Sequence, residues 1–185
     1  MFKQTGIAAV IVLAATSLAQ SAAPPSGSAI DIPNSEIQRI AQRNAGAPVS
    51  DQQIRIISVN NDYNVGVGVV HRAKTEKQSV GGSEHSQITE VYHVISGTGT
   101  LVTGGTIENA KDRPADNEAV RLLTGPSMEG TRIIGGATRK IGPGDVIVIP
   151  PNTPHTFTEI TSPEIVYLVV RFDPHKVLPA GYAAK

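Results

Sequence analysis

Two stretches of the sequence place ionisable side chains beside apolar runs. The stretch GDVIVIPPNTPHTFTE, from Gly144 to Glu159, has an apolar run, a turn-forming PPNTP segment and then His155. The stretch GGSEHSQITEVYHVISGTG contains His85 and Glu90. An ionisable group inside an apolar core is costly unless it is paired or bound to a metal ion. Two imidazoles and a carboxylate that converged in one core would therefore form a three-ligand metal site.

The elements that must position these residues are short strands. Strand-like runs recur from Gln53 onwards in IRIISVN, VGVGVVHRA, TEVYHVISGTGTLVTGG, TRIIGGATRKIGPGDVIVIPP, HTFTEI and EIVYLVVRFDP, with Gly or Pro turns between them. The 18 glycines and 13 prolines favour many turns over long helices. This regular spacing predicts an all-β sandwich or small barrel over residues 53–175.

The first residues have the order of a secretory signal peptide. Lys3 is followed by an apolar run from Gly6 to Ala19 and then by the small residues LAQSAA. The run is short for a bilayer span, so a cleaved signal over residues 1–23 is favoured over a membrane anchor or a buried helix. We expect the mature protein to be periplasmic or secreted, with no membrane contact after cleavage.

Residues 24–52 are interpreted as a linker and one short helix. The segment PNSEIQRIAQRNAG predicts a helix capped by Asn34 or Ser35 and ended by Gly46, with Ile37 and Ile40 in its apolar stripe. We expect this helix to pack on the strands rather than to carry chemistry. Residues 176–185 are assigned to a C-terminal tail.

One segment, ENAKDRPADNEAVRLLTGPSMEG, is polar and has no clear period. We predict a long loop or partly ordered insertion over residues 107–130. Such an insertion is either a lid over a site or a plain surface feature.

Composition excludes several classes of function. Lys+Arg and Asp+Glu both number 16, so there is no basic excess with which to neutralise phosphates, and nucleic acid is not an expected partner. The chain has no cysteine, which excludes thiol catalysis, a lipidated cysteine and cysteine-based zinc sites.

The stretch that contains His155 resembles the second motif of the cupin family. Members of this family are small double-stranded β-helix barrels of jelly-roll type. That motif reads G, five residues, P, any residue, G, two residues, H, three residues, N. Gly144, Pro150, Asn152, His155 and Glu159 occupy its places. Asn152 replaces the middle glycine and tolerates the same turn geometry. Glu159 replaces the final asparagine.

The stretch that contains His85 resembles the family's first motif, which reads H, any residue, H, three or four residues, E, six residues, G. Glu90 and Gly97 fit the last two places, and His85 fits the second histidine. Ser83 then stands where the first histidine should be. The alternative register makes His85 the first histidine and Gln87 the second, but it leaves only two residues before Glu90.

The resemblance implies a jelly-roll β-barrel and a metal site with His85, Glu90 and His155 as ligands. Two histidines and one carboxylate are the composition of non-haem Fe(II) oxygenase sites, and they also suit catalytic zinc. We therefore expect one divalent metal ion, iron first, with Zn, Mn or Ni as alternatives. Gln87 and Ser83 are additional candidates for this site.

Strand alternation identifies further candidates. If Glu90 faces the barrel interior, Tyr92 does too, where it either donates a hydrogen bond to substrate as a catalytic group or fills the barrel. His71 shares a face with the valines of VGVGVV, so an interior position near the barrel mouth is one alternative for it. Arg171 either meets an anionic substrate or, as we expect, forms a salt bridge at the barrel rim, and His93 is expected to face away from the interior.

These features favour an exported metal-dependent enzyme that acts on a small organic molecule, either dioxygenase-like or a lyase or isomerase. The alternative is a non-catalytic cupin that binds a small molecule such as a sugar or organic acid, which the serine at position 83 favours. Both faces of DVIVIP are apolar, and the outer one needs cover from the helix or from a second subunit, so a homodimer is expected.

Overall fold

The computed structural model describes residues 29–76 and 80–185, so the predicted signal peptide lies outside the described residues. The compact unit considered below is Ile32–Lys185. It contains one α-helix, α1 (Asn34–Ala41), one π-helical turn (Val120–Thr124), and the strands β1 (Val49–Val59), β2 (Tyr63–Ala73), β3 (Ser83–His85), β4 (Thr89–Thr103), β5 (Thr106–Glu108), β6 (Lys111–Asp112), β7 (Ser127–Glu129), β8 (Arg132–Ile134), β9 (Ala137–Ile141), β10 (Val146–Ile149) and β11 (His155–Asp173).

Two long strands, β4 and β11, organise the barrel. They pair antiparallel over almost their whole length. The second half of β11 also pairs with β2, and β2 pairs with β1. The other edge of β4 carries β9 and β10, and β3 links β11 to β7. All of these pairings are antiparallel, and the sheet curls around one core. The predicted all-β jelly-roll barrel with a short N-terminal helix is confirmed.

The barrel closes because β4 and β11 bend together. The segments HTFTEI and EIVYLVVRFDP, predicted as two strands, form one strand whose register with β4 shifts between Ile160 and Ile165. Gly97 faces this shift with φ at 78°. A Cβ atom at Gly97 would lie 1.9 Å from the carbonyl oxygen of Glu164, so only glycine fits where the two strands cross so closely.

The barrel interior holds an apolar core. Most of its residues come from β4, β10 and β11. Along these three strands, core residues alternate with more exposed ones. Aromatic rings fill the centre, where Tyr167 packs against Phe157 and Tyr92 with ring centroids 5.7 and 4.5 Å apart. The buried cluster comprises Val70, Tyr92, Val94, Leu101, Ile141, Ile147, Ile149, Phe157, Ile160, Ile165, Tyr167 and Val169.

Helix α1 covers a second, outer cluster. Its Ile40 is fully buried against Ile54 of β1 and Val69 of β2. The predicted side-chain cap is wrong, because Pro33 occupies the N-cap position and no side chain caps the helix. The helix also ends at Ala41, and the positive φ in the turns that follow belongs to Asn44 rather than to Gly46.

The outer face of β10 is not covered by α1, which packs on β1 and β2. Val146 and Val148 are 63% and 61% exposed there. Within the described residues, no helix is long and apolar enough to cross a membrane.

Candidate metal centre

His85, Glu90 and His155 converge inside the barrel. His85 ends β3, Glu90 lies near the start of β4, and His155 begins β11. The Nε2 atoms of His85 and His155 lie 3.7 and 3.5 Å from the same carboxylate oxygen, Oε2 of Glu90. All three side chains are buried, and one donor atom from each lies within 4.8 Å of the others. The structure thus brings together the three residues that the sequence nominated as ligands.

The turn before β11 aims His155 inward. Pro150 ends the preceding run, and Asn152 reverses the chain with φ at 57°, as the asparagine in place of glycine predicted. The backbone N–H of Asn152 donates to the carbonyl of His85 at 2.9 Å. His155 also pairs in the sheet with Ser83 of β3. These contacts join the two motif segments directly, so the turn fixes both histidines at once.

Hydrogen bonds fix the tautomer of each histidine. Nδ1 of His155 donates to the carbonyl of Thr153 at 3.0 Å. Nδ1 of His85 lies 2.9 Å from Oγ of Ser127, whose hydroxyl donates to the carbonyl of Gly125 at 2.8 Å. Oγ1 of Thr124 is a second acceptor for this hydroxyl, at 2.9 Å, so the Ser127 oxygen accepts the Nδ1 proton when its own proton points to either group. In the neutral form of each ring, the proton then lies on Nδ1 and the bare Nε2 atom faces Glu90, as metal-binding histidines require.

The Glu90 carboxylate is held through both oxygens. Nε of Arg171 donates to Oε1 at 3.0 Å, and the Tyr92 hydroxyl donates to Oε2 at 2.8 Å. Burial opposes ionisation of Glu90, but the positive charges of a protonated His85 and of Arg171 outweigh it and lower the pKa of Glu90 to about 2. Arg171 carries its charge at every pH of interest, so the carboxylate is ionised at neutral pH.

His85 is neutral at the same pH. Burial lowers the pKa of His85 to about 3, and the attraction of Glu90 only partly opposes this effect. A neutral imidazole is the form that binds a metal ion.

Arg171 lies in the barrel interior rather than at the rim. It is 1% exposed, and besides Glu90 its guanidinium contacts Oε1 of Gln53 at 3.0 Å and the Asp51 carboxylate. The expected salt bridge is present, but its predicted location is wrong. Two glycines of β2 make this burial feasible, since a Cβ atom at Gly68 would lie 3.1 Å from Nη1 of Arg171, and one at Gly66 would lie 3.4 Å from its Cβ.

The other nominated residues lie in different places. Tyr92 and Ser83 line the cavity in front of the three ligands. Gln87 is half-buried and is not part of the cavity wall. The predicted interior position of His71 is wrong. His71 shares the outer face of β2 with Val69, which packs under α1, and its Nε2 lies 2.7 Å from Oε2 of Glu164.

The cavity has a volume of about 740 Å³ and is closed on one side by the polar insertion. This segment contains β6, the π-helical turn and β7, and β7 pairs with β3 next to His85. It is therefore a wall of the site rather than a detached surface loop. Eight residues of the insertion line the cavity, namely Asn109, Lys111, Arg113, Ala119, Leu123, Thr124, Glu129 and Gly130.

Sequence reasoning missed Arg72, which lines the same cavity. Its Nε donates to the Tyr167 hydroxyl at 3.0 Å, and its guanidinium lies 4.9 Å from the centre of the Phe157 ring. The available signal was the alternation of β2, where Gly66, Gly68 and Arg72 share one face.

The donor set fits a divalent metal ion. Two imidazole nitrogens and one ionised carboxylate oxygen lie within 4.8 Å of one another, and each histidine has a hydrogen-bonded partner on its far nitrogen. Arg171 occupies Oε1 of Glu90 and leaves Oε2 directed towards the histidines. Three protein ligands leave further coordination positions for water or substrate.

Comparisons with known proteins agree with this architecture. The family model for the AraC-like ligand binding domain matches residues 129–181. No curated protein sequence matches the chain. The barrel, the two motifs and this match class the chain as a cupin-type β-barrel, and the predicted resemblance is confirmed.

Three solved structures illustrate the likeness. A cupin protein from Bacteroides fragilis is 15% identical with a TM-score of 0.38, over 64% of this chain and 72% of that one. The DMSP lyase DddQ from Ruegeria pomeroyi is 15% identical with a TM-score of 0.43, over 70% and 49%. An oxalate oxidase in complex with glycolate is 16% identical with a TM-score of 0.43, over 70% and 54%. The chain thus spans about half the length of the lyase and of the oxidase.

Proposed function

We propose that this protein is a metal-dependent enzyme that acts on a small organic molecule. The observation that carries the proposal is the geometry of His85, Glu90 and His155, with both Nε2 atoms within 3.7 Å of one carboxylate oxygen. Burying two imidazoles and a carboxylate side by side without a ligand would cost free energy that an apolar core would avoid. A divalent ion bound by all three accounts for their arrangement.

The composition of the donor set favours iron, and Zn, Mn or Ni are the alternatives. When bound, such an ion supplies Lewis-acid activation of a substrate oxygen, or with iron a site for O₂ chemistry. This choice separates a dioxygenase-like reaction from a lyase or isomerase reaction.

The chain itself supplies a hydrogen-bond donor beside the ligands. Burial and the neighbouring Glu90 carboxylate raise the pKa of Tyr92 well above its usual range, so its hydroxyl keeps its proton at neutral pH. Tyr92 lines the cavity and at present donates to Oε2 of Glu90. We assign Tyr92 the role of a hydrogen-bond donor to substrate, because a group with so high a pKa is a poor base at neutral pH.

A second candidate is a non-catalytic binding protein for a small organic acid or sugar. Ser83 favours it, since a serine stands where the family motif has a histidine and lines the cavity beside His155. In that case the same cavity would hold its ligand without turnover.

Two features outside the site complete the proposal. Export rests on the order of charge, apolar run and small residues in the first 23 positions. A homodimer would cover Val146 and Val148, which α1 leaves exposed. Light scattering of the wild type and of Val148→Glu tests the dimer, and a wild-type mass of one chain would contradict it.

The function is tested with protein that has been loaded separately with Fe(II), Zn, Mn or Ni. Each form is supplied with a panel of small organic acids and sugars. Oxygen uptake with iron supports a dioxygenase-like reaction, and product formation without oxygen uptake supports a lyase or isomerase. Either activity should be lost in His85→Ala/His155→Ala and kept in His93→Ala, since His93 is exposed on the outer face of β4. Tight ligand binding with no turnover under any metal would favour the non-catalytic candidate.

A further inference from the structure

We propose that Arg72 is the residue that selects the ligand, and that the ligand is a small organic acid whose carboxylate binds the Arg72 guanidinium. This inference rests on the proposed function only in its choice of site. The recognition of the anion depends on the chain's own residues and is measurable without a metal ion.

Arg72 is held in place at the cavity wall. Its Nε donates to the hydroxyl of Tyr167, which is itself 1% exposed, and its guanidinium lies over the ring of Phe157. This hydrogen bond uses one donor, and a guanidinium has four further N–H donors. A planar group fixed by stacking and one hydrogen bond presents its remaining donors at low entropic cost, in the forked arrangement that a carboxylate accepts.

Arg72 has no carboxylate partner of its own. Among the described residues, no Asp or Glu oxygen lies within ion-pair distance of its guanidinium. The nearby carboxylate, Asp51, is bound by Arg171 instead. An anionic ligand in the cavity would supply the carboxylate partner that Arg72 lacks.

The polar insertion adds positive charge to the cavity wall. Its charged lining residues are Lys111, Arg113 and Glu129, and Glu129 accepts from Nε of Arg113 at 2.8 Å. The insertion thus contributes one more cation than anion to the lining, and this local excess favours negatively charged molecules.

Arg72 lines the same cavity as His85, Glu90 and His155. Arg72 donates to Tyr167, Glu90 accepts from Tyr92, and the two tyrosine ring centroids lie 4.5 Å apart. One pair of packed tyrosine rings thus links Arg72 to the candidate ligands. We therefore expect an acid to bind with one carboxylate on Arg72 and a second oxygen directed towards His85 and His155. Carboxylate and phosphate share the oxyanion chemistry that a guanidinium binds. A single fork favours the carboxylate, since phosphate sites in proteins usually add backbone N–H donors.

Calorimetric titration of the chelator-treated protein tests the proposal. The probes are malonate, succinate, the uncharged analogue propane-1,3-diol and inorganic phosphate. We expect a dicarboxylate to bind roughly 10-fold or more tightly than the diol, and Arg72→Gln to lose roughly 10-fold or more of that affinity. Arg139→Gln is the matched control, because Arg139 is exposed on β9 and should leave the affinity unchanged.

Equal affinity of the wild type for dicarboxylate and diol would overturn the proposal without the use of any variant. Unchanged affinity in a folded Arg72→Gln protein would also overturn it, and tighter binding of phosphate than of every carboxylate would overturn the ligand class. A protein that takes up no metal could still bind a carboxylate through Arg72. That result would support this inference, and it would contradict only the proposed metal-dependent function.

Discussion

Arg171 and Glu90 form an ion pair in the barrel interior, with Nε of the arginine 3.0 Å from Oε1 of the carboxylate and side chains only 1% and 2% exposed. The same guanidinium binds Asp51, so one cation serves two carboxylates. The pair keeps Glu90 ionised and directs its other oxygen towards His85 and His155. Arg171 is thus a positioning residue behind the candidate metal centre.

Replacement of Arg171 by methionine should destabilise the protein by about 3–5 kcal/mol, because two carboxylates would remain in the interior without their counterion. Urea denaturation of the chelator-treated protein at pH 7 measures the loss. Arg139→Met is the control for removal of an exposed arginine, and it should change the free energy of unfolding by less than about 0.5 kcal/mol. A loss in Arg171→Met no larger than in this control would show that the buried pair contributes no stability.

Ser127→Ala should weaken metal binding while the barrel stays folded. The serine accepts the Nδ1 proton of His85 and so keeps the Nε2 atom free for a metal ion. Loss of such an orienting partner typically costs about 10–100-fold in metal affinity. Competition with a chromophoric chelator measures the change, and Ser86→Ala is the control, since Ser86 is exposed and bonds only to the backbone. Identical affinities of the two variants would contradict the assigned tautomer.

Stability of the metal-free protein should fall as the pH is lowered from about 6.5. The pKa of His85 is about 3 in the fold against an ordinary value of 6.5, so in this interval the unfolded chain takes up a proton that the folded protein does not. The contribution is complete above pH 6.5 and is lost progressively towards pH 3.

Urea denaturation between pH 7 and pH 6, a range well above the ordinary pKa of 4.5 for Glu90, separates this effect from the titration of that carboxylate. His85→Gln should reduce the pH slope relative to the wild type, and His175→Gln, which alters an exposed histidine, should keep it. The same slope in all three proteins would show that His85 is not buried in the neutral form.

Gly97→Ala should prevent folding or cost more than about 4 kcal/mol, because the new Cβ atom would overlap the backbone of Glu164 where β4 and β11 bend. Gly144→Ala is matched to it, with φ at 88° but nothing within 4 Å of a Cβ atom. The free energy of unfolding of that variant should fall by only about 1–2 kcal/mol, because alanine is strained in the left-handed backbone conformation. Thermal denaturation followed by circular dichroism compares them, and equal losses would mean that the close crossing of the two strands is absent.

The ligand residues were predictable because each lies in a short stretch that resembles a family motif, and such a motif depends on local spacing. His155 follows Asn152 by three residues, and Glu90 precedes Gly97 by seven. Both Asn152 and Gly97 have a positive φ, which is the local backbone requirement that the motif places reflect.

The arginines of the interior could not be predicted in the same way. The face of β2 that carries valines looked like the inner one, because apolar residues usually face the core. It is the outer face, since α1 covers Val69, and the inner face carries Gly66 and Gly68 to leave room for Arg171. Which face points inward depended on packing between residues distant in sequence, and Arg72 was missed and His71 misplaced for that reason.

The most direct test of the metal centre is a calorimetric titration of chelator-treated protein with Zn²⁺ or Mn²⁺. We expect one site per chain, lost in His85→Ala/His155→Ala and retained in His93→Ala/His175→Ala, which removes two exposed histidines instead. A wild-type protein that folds but binds neither ion, or a His85→Ala/His155→Ala variant that binds as tightly as the wild type, would contradict the assignment of His85, Glu90 and His155 as a metal centre.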